Sequence, residues 1–217
     1  ANNPDDKIQS IGYDDKNRKQ YIYNKDYILE QDKTKYDNLI KFGRQINIIR
    51  EDINDMLKQR IWSLDKTIAF VIHIIDNCHL RVGNDKYKEE YSSYGITTLE
   101  KKHITINKTS VYIEFIGKKG VEKICKIKNT KTINLFKSLE NEFKPKKKDS
   151  FFKYYTYNNN SIHTVNSCNI NDFLKQYGNF TAKNFRTWTA NLNVIDYLCE
   201  EITNIPNNKL SERNITI

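Results

Sequence analysis

Apolar residues recur every three or four positions through "DKTKYDNLIKFGRQINIIREDINDMLKQ". Tyr36, Leu39, Ile40, Phe42, Ile46, Ile49, Ile53 and Leu57 fall on one stripe, so the period predicts an amphipathic helix. Asp32 is its candidate N-cap, and Gly43 weakens the pattern without ending it. "IAFVIHIIDNCHL" is nearly continuous in apolar residues, which predicts a buried helix from about Leu64 to His79 with Ser63 as cap. Further helices are expected over about Lys131 to Phe143, Ile170 to Tyr177 and Thr181 to Glu201.

Elsewhere the period drops to two. "HITI" from His103 and "SVYIEFI" from Ser110 read as strands, "GKKG" from Gly117 to Gly120 as a tight turn and "VEKICKI" as the return strand. "RKQYIY", Arg18 to Tyr23, is a further strand after a loose lead-in of ten residues. A lone strand is not stable, so it must pair with Tyr27 to Leu29 or with strands outside the sequence. "RVGNDKYKEEYSSYGITTLE" is polar and carries two glycines, so a loop with a short helix is expected there. "KPKKKD" reads as a basic linker and "NNKLSERNITI" as a frayed end. The fold class expected is α+β, mainly helical, with one small antiparallel sheet.

Composition narrows the chemistry. The chain has 217 residues and a net charge of +9, a balance that favours a polyanionic partner but that also suits a lysine-biased, merely well-solvated protein. No apolar run approaches the roughly 20 residues of a membrane span. Cys78, Cys125, Cys168 and Cys199 are widely spaced with no CxxC pair, which reads as isolated, buried thiols of a reducing compartment rather than a metal or redox site. His73, His79, His103 and His163 show no metal spacing, and His73 reads as a satisfied core residue. GxSxG, P-loop, GxGxxG and HExxH signatures are absent from the sequence.

Three cations stand in unusual company. Arg81 directly follows the apolar helix, Lys118 sits in the glycine-flanked turn, and Arg186 lies between Phe185 and Trp188 in "NFRTW". Each alone has a structural explanation: an arginine at a helix C-terminus answers the dipole, and a turn lysine is usually just solvated. For Arg186, however, nothing in an amphipathic helix requires a guanidinium on its mixed face. Together they suggest a phosphate site, with two guanidiniums forking onto the non-bridging oxygens and a lysine able to protonate a leaving alkoxide.

The segments "GYDDKNRKQYIYN", "YDNLIKFGRQINIIREDI", "LRVGNDKYKEEYSSYGITTLEKKHI", "IEFIGKKG", "DSFFKYY" and "INDFLKQYGNFTAKNFRTWTANL" resemble, in order and spacing, the type IB DNA topoisomerases of the small poxvirus-like branch. The resemblance implies the catalytic fold shared with tyrosine recombinases, with residues 1–30 as the last strands of a small N-terminal β-domain and residues 31–217 as the catalytic domain. It implies that Arg81 and Arg186 grip the scissile phosphate and that Lys118 is the general acid toward the 5′-oxygen. Arg18, Gln20, Tyr21 and Tyr23 correspond to a DNA-facing strand, Asn84, Lys86 and Tyr87 to a DNA-touching loop, and Lys183 to a further DNA contact. The implied reaction relaxes supercoils in double-stranded DNA through a 3′-phosphotyrosyl intermediate, with neither ATP nor a metal cofactor. The implied setting is a monomer inside the cell: the cytoplasmic replication compartment or virion of a giant DNA virus, or a bacterial nucleoid.

Two departures qualify the resemblance. The family's nucleophilic tyrosine belongs well beyond the second arginine, in a segment not seen here. Tyr197, on the same expected helix as Arg186, reads as a packing residue. The family's β-domain also begins earlier than Ala1. The sequence is therefore expected to be a piece that binds DNA and does not cleave it alone. A tyrosine recombinase shares the Arg, Lys, Arg layout but usually carries a helical domain where "GYDDKNRKQYIY" stands. A non-catalytic DNA-binding module also accounts for the charge and the missing nucleophile, but not for the glycine-flanked turn around Lys118.

Overall fold

A computed structural model describes residues 3–15, 17–156 and 161–203. The chain divides into two compact units, Ala1–Arg44 and Gln45–Ile217.

In the first unit, β1 (Ile8–Tyr13) and β2 (Lys19–Tyr23) form an antiparallel hairpin. The strand expected at Arg18 to Tyr23 thus finds its partner in the segment read as a loose lead-in. Tyr27 to Leu29 is not a strand but the start of α1 (Lys25–Leu57). Its cap is Asn24 rather than Asp32: the Asn24 side chain accepts from the backbone N–H of Asp26 at 2.7 Å and of Tyr27 at 3.2 Å. That Asx turn outweighs the polar "DKTK" stretch, so the helix starts well before its apolar stripe does.

The second unit is built on α2 (Leu64–Cys78). Ser63 caps it as expected, accepting from the N–H of Lys66. Ile68, Ala69, Phe70, Val71, Ile72, Ile74 and Ile75 are all buried, so this helix is apolar all round because it is surrounded by other elements. Phe70 meets Phe136 edge to face with ring centroids 4.9 Å apart, and Phe152 at 5.9 Å. Trp62 is buried with its indole N–H on Ser138 Oγ at 3.1 Å, which satisfies its one polar atom. His73 is held in the core, its Nε2 3.0 Å from Thr132 Oγ1, as the sequence predicts.

Four further helices follow, α3 (Asp85–Tyr91), α4 (Thr130–Phe143), α5 (Ser167–Lys175) and α6 (Ala182–Thr203), of which α5 and α6 pack on α2. A three-stranded antiparallel sheet runs β3 (Ile104–Ile106), β4 (Val111–Ile116), β5 (Glu122–Ile127). A second hairpin, β6 (Lys153–Tyr155) with β7 (Ile162–Thr164), has no counterpart among the sequence-based expectations. The fold class is α+β and mainly helical, as the pattern implies. The segment expected to be frayed, "NNKLSERNITI", lies outside the described residues. Among the described residues no helix is long and apolar enough to cross a membrane.

The cysteine reading needs correcting. Cys78 and Cys125 are joined in a disulfide, with Cα atoms 5.8 Å apart, while Cys168 and Cys199 are exposed rather than buried. A pairing across 47 residues is a property of the tertiary fold and leaves no local signal.

Candidate phosphate-binding cleft

The C-terminus of α2 positions the first cation. His79 closes the helix in the left-handed region, φ 53°, and donates its N–H to the Ile75 carbonyl at 2.8 Å. Leu80 is buried and anchors the exit, so Arg81 emerges at a fixed point. Its carbonyl accepts from the N–H of Ile96 at 2.9 Å, and the Val82 carbonyl accepts from the N–H of Thr97 at 2.9 Å. The two glycines of this region make that pairing possible. A Cβ on Gly95 would stand 2.4 Å from the Cα and N of Gly83 and 2.8 Å from the Arg81 carbonyl oxygen, and Gly83 itself has φ +96°. Two backbones approach closely here because neither carries a side chain.

The second cation is on the β4–β5 turn. Gly117 donates to the Val121 carbonyl at 2.8 Å, and Lys119 and Gly120 both take positive φ, 65° and 73°. This places Lys118 at the tip. The neighbouring loop is stitched to the same strand, with the Tyr94 N–H on the Ile116 carbonyl at 2.9 Å.

The third cation, Arg186, follows Phe185, which is fully buried and fixes the rotation of α6. Arg186 donates from Nε to the His79 carbonyl at 2.8 Å. The guanidinium therefore does structural work that the sequence does not reveal: it ties α6 to the end of α2 through an otherwise orphan C-terminal carbonyl. Among the described residues its Nη donors have no hydrogen-bond partner.

Arg81, Lys118 and Arg186 all line one open cleft of about 320 Å³. His79, Tyr94, Phe115, Lys119 and Lys123 line it too. None of the cleft-lining residues is acidic. Burial, and then the positive charge of Arg81, push the Arg186 pKa below its ordinary value. Like charges held together without a carboxylate leave a site that gains from an anion.

The remaining candidates are distributed as follows. Arg18, Gln20, Tyr21 and Tyr23 belong to the N-terminal unit, where the side chains of Arg18 and Gln20 donate to Asp14 at 2.7 and 3.2 Å and the rings of Tyr21 and Tyr23 stack at 6.2 Å. Asn84 caps α3, accepting from the Lys86 N–H at 2.9 Å, so it has a local role of its own. Lys86 reaches Glu90 at 3.7 Å, Tyr87 is exposed, and Lys183 is exposed on the first turn of α6. Tyr197 is 60% exposed, not packed. It lies on the same helix as Arg186, eleven residues on (197 − 186), or about 16 Å along the axis.

Sequence reasoning missed Lys123, Lys119, Tyr94 and His79. Lys123 carried no signal of its own, since only the hairpin register sets it opposite Phe115. For Tyr94 the signal was only adjacency to Gly95, and for His79 only a position two residues before Arg81.

The family model described as the catalytic core of eukaryotic DNA topoisomerase I matches residues 16–216. DNA topoisomerase 1B of Acanthamoeba polyphaga mimivirus is 31% identical over 206 residues, covering 93% of this chain and 60% of that protein. DNA topoisomerase 1B of vaccinia virus (strain Copenhagen) is 27% identical over 187 residues, covering 83% of this chain and 54% of the relative. Among solved structures, a XerH site-specific recombinase bound to its difH substrate aligns with a TM-score of 0.44 at 16% identity, covering 85% of this chain and 49% of that one. This chain thus spans little more than half the length of its viral relatives. Matched by that catalytic-core model along nearly its whole length, the chain belongs to the type IB DNA topoisomerase family.

Proposed function

We propose that the cleft grips one phosphodiester of double-stranded DNA for strand cleavage and religation by the topoisomerase IB route. The observation that carries this reading is the convergence of Arg81, Lys118 and Arg186, far apart in sequence, on a single cleft without an acidic residue. Arg81 and Arg186 would take the non-bridging oxygens and stabilise the charge that grows on them in the pentacoordinate transition state. Lys118, at a hairpin tip, would give its proton to the leaving 5′-oxygen. A tyrosine hydroxyl would attack phosphorus, forming a 3′-phosphotyrosyl bond as the bond to the 5′-oxygen breaks. Religation is the reverse, and the bond energy is kept throughout.

On this reading the 217 residues bind duplex DNA and do not cleave it by themselves. Tyr197 supports this, since its distance along α6 keeps it away from a phosphate held by Arg186. Tyr94 lines the cleft, but its hydroxyl faces the Lys102 ammonium at 3.4 Å. The test is a fluorescence titration of a labelled duplex together with a denaturing gel for covalent adducts. Wild-type chain should bind, Arg81→Ala and Arg186→Ala should each weaken binding at least tenfold, and no adduct should form. Unchanged affinity in both arginine variants sinks the clamp. An adduct lost in Tyr94→Phe or Tyr197→Phe would show that the chain carries its own nucleophile.

A further inference from the structure

Several lysines near the sheet are held in ion pairs. Lys88 and Lys102 pair with Glu100, Lys101 with Glu140, and Lys153 with Asp149. Lys123 is exposed, lines the cleft, and forms no ion pair among the described residues. Its acidic neighbour Glu122 lies on the opposite face of β5, since successive strand residues alternate. In the register Lys123 faces Phe115, whose ring also lines the cleft.

Gly117 lies beside it. A Cβ at Gly117 would stand 3.4 Å from Lys123 Cγ and 3.4 Å from the Val121 carbonyl oxygen. The aliphatic stem of Lys123 therefore runs alongside the backbone that leads into Lys118.

The cleft is also larger than one phosphate needs. At about 30 Å³ per water-sized group, the five heavy atoms of a single phosphate group take about half of the 320 Å³. Each strand of duplex DNA carries a further charge every 3.4 Å or so along the axis. We propose that Lys123 binds a second phosphate of the same DNA, next to the one held by Arg81, Lys118 and Arg186. This rests on the reading of the cleft as a DNA site. Lys123 here acts in binding and register, and transfers no proton.

The salt dependence of binding tests it. Affinity of the chain for a labelled duplex is measured from about 50 to 200 mM KCl. The variants are Lys123→Met, which keeps the stem beside Gly117, Lys123→Arg, and Lys131→Met, an exposed lysine of α4 outside the cleft. Each phosphate contact contributes a slope of about 0.9 to log K against log salt. Lys123→Met should lose about that amount, Lys123→Arg should restore it, and Lys131→Met should leave it unchanged. A Lys123→Met slope equal to that of wild type, or matched by Lys131→Met, overturns the assignment. If binding stays sensitive to Arg81→Ala and Arg186→Ala while Lys123→Met is silent, only this inference falls. If the wild-type chain does not bind duplex, both readings fall.

Discussion

Arg186 reaches across from α6 to the last carbonyl of α2, its Nε 2.8 Å from the oxygen of His79. That oxygen is presented by a residue in the left-handed region, φ 53°. One cation of the cleft is thus aimed by the backbone that delivers another, Arg81, two residues later.

Position 79 can be probed through its backbone alone. His79→Gly accepts a positive φ without cost. His79→Val places a β-branched residue there, at about 1–2 kcal/mol, and in a chain of this size each kcal/mol lowers the melting temperature by about 2–4 °C. Thermal unfolding should show the valine variant falling and the glycine variant near wild type. Duplex affinity should follow the same order, since a shifted carbonyl releases Arg186. Equal melting temperatures for the two variants would mean that the cap does not depend on that dihedral.

Gly95 sets where Arg81 emerges. An alanine there would meet Gly83 backbone atoms at 2.4 Å, a distance that forces one segment to move, at a cost of about 1–3 kcal/mol for overpacking. The pairing of Ile96 with Arg81 and of Thr97 with Val82 would be the first to open. Hydrogen exchange at the Ile96 and Thr97 amides should accelerate in Gly95→Ala, with duplex binding weakened although no cation is lost. Unchanged exchange would show that the close approach is not a constraint.

The Cys78–Cys125 bond joins the last residue of α2 to β5, the strand carrying Lys123. It spans 47 residues, and on the chain-entropy account such a closure stabilises by about 4 kcal/mol. The urea midpoint of the wild-type chain should fall on adding a phosphine reductant. The Cys78→Ala, Cys125→Ala double variant should start at the lower midpoint and ignore the reductant. A wild-type midpoint indifferent to reduction would show that the bond adds nothing to stability.

The long elements were legible in the chain because their period is local. Ser63, the buried run from Ile68 to Ile75 and the "GKKG" turn all carry their own signals. What could not be read came from distance. Asn24 caps α1 ahead of its apolar stripe, Ile8–Tyr13 is a strand only because β2 lies beside it, and Cys78 finds Cys125 through the tertiary fold. In the cleft, Arg81, Lys118 and Arg186 could be singled out from their neighbours and the family resemblance. Lys123 could not, because a lysine on an exposed strand is ordinary until the register sets it beside Gly117.

Acid should weaken this fold well above the range in which carboxylates titrate. Burial pushes the pKa of His73 below its ordinary 6.5, with Asp76 only partly opposing it. Burial and then Lys102 do the same to His103, with Lys88 adding to the effect and Glu100 opposing it. Both imidazoles therefore bind a proton more readily in the unfolded chain than in the folded one. Their contribution to stability is complete above about pH 6.5 and shrinks as the pH drops through the window below it. Glu100 does not confuse the result. Burial raises its pKa but its bonds from Lys102 and Lys88 prevail, so its pKa lies below 4.5 and its contribution is lost only on further acidification. Urea midpoints at pH 7.5, 6.5 and 5.5 should be level over the first interval and fall over the second. In His73→Gln the second fall should be shallower. A midpoint that stays constant down to pH 5.5 would mean that neither ring is held neutral by the fold.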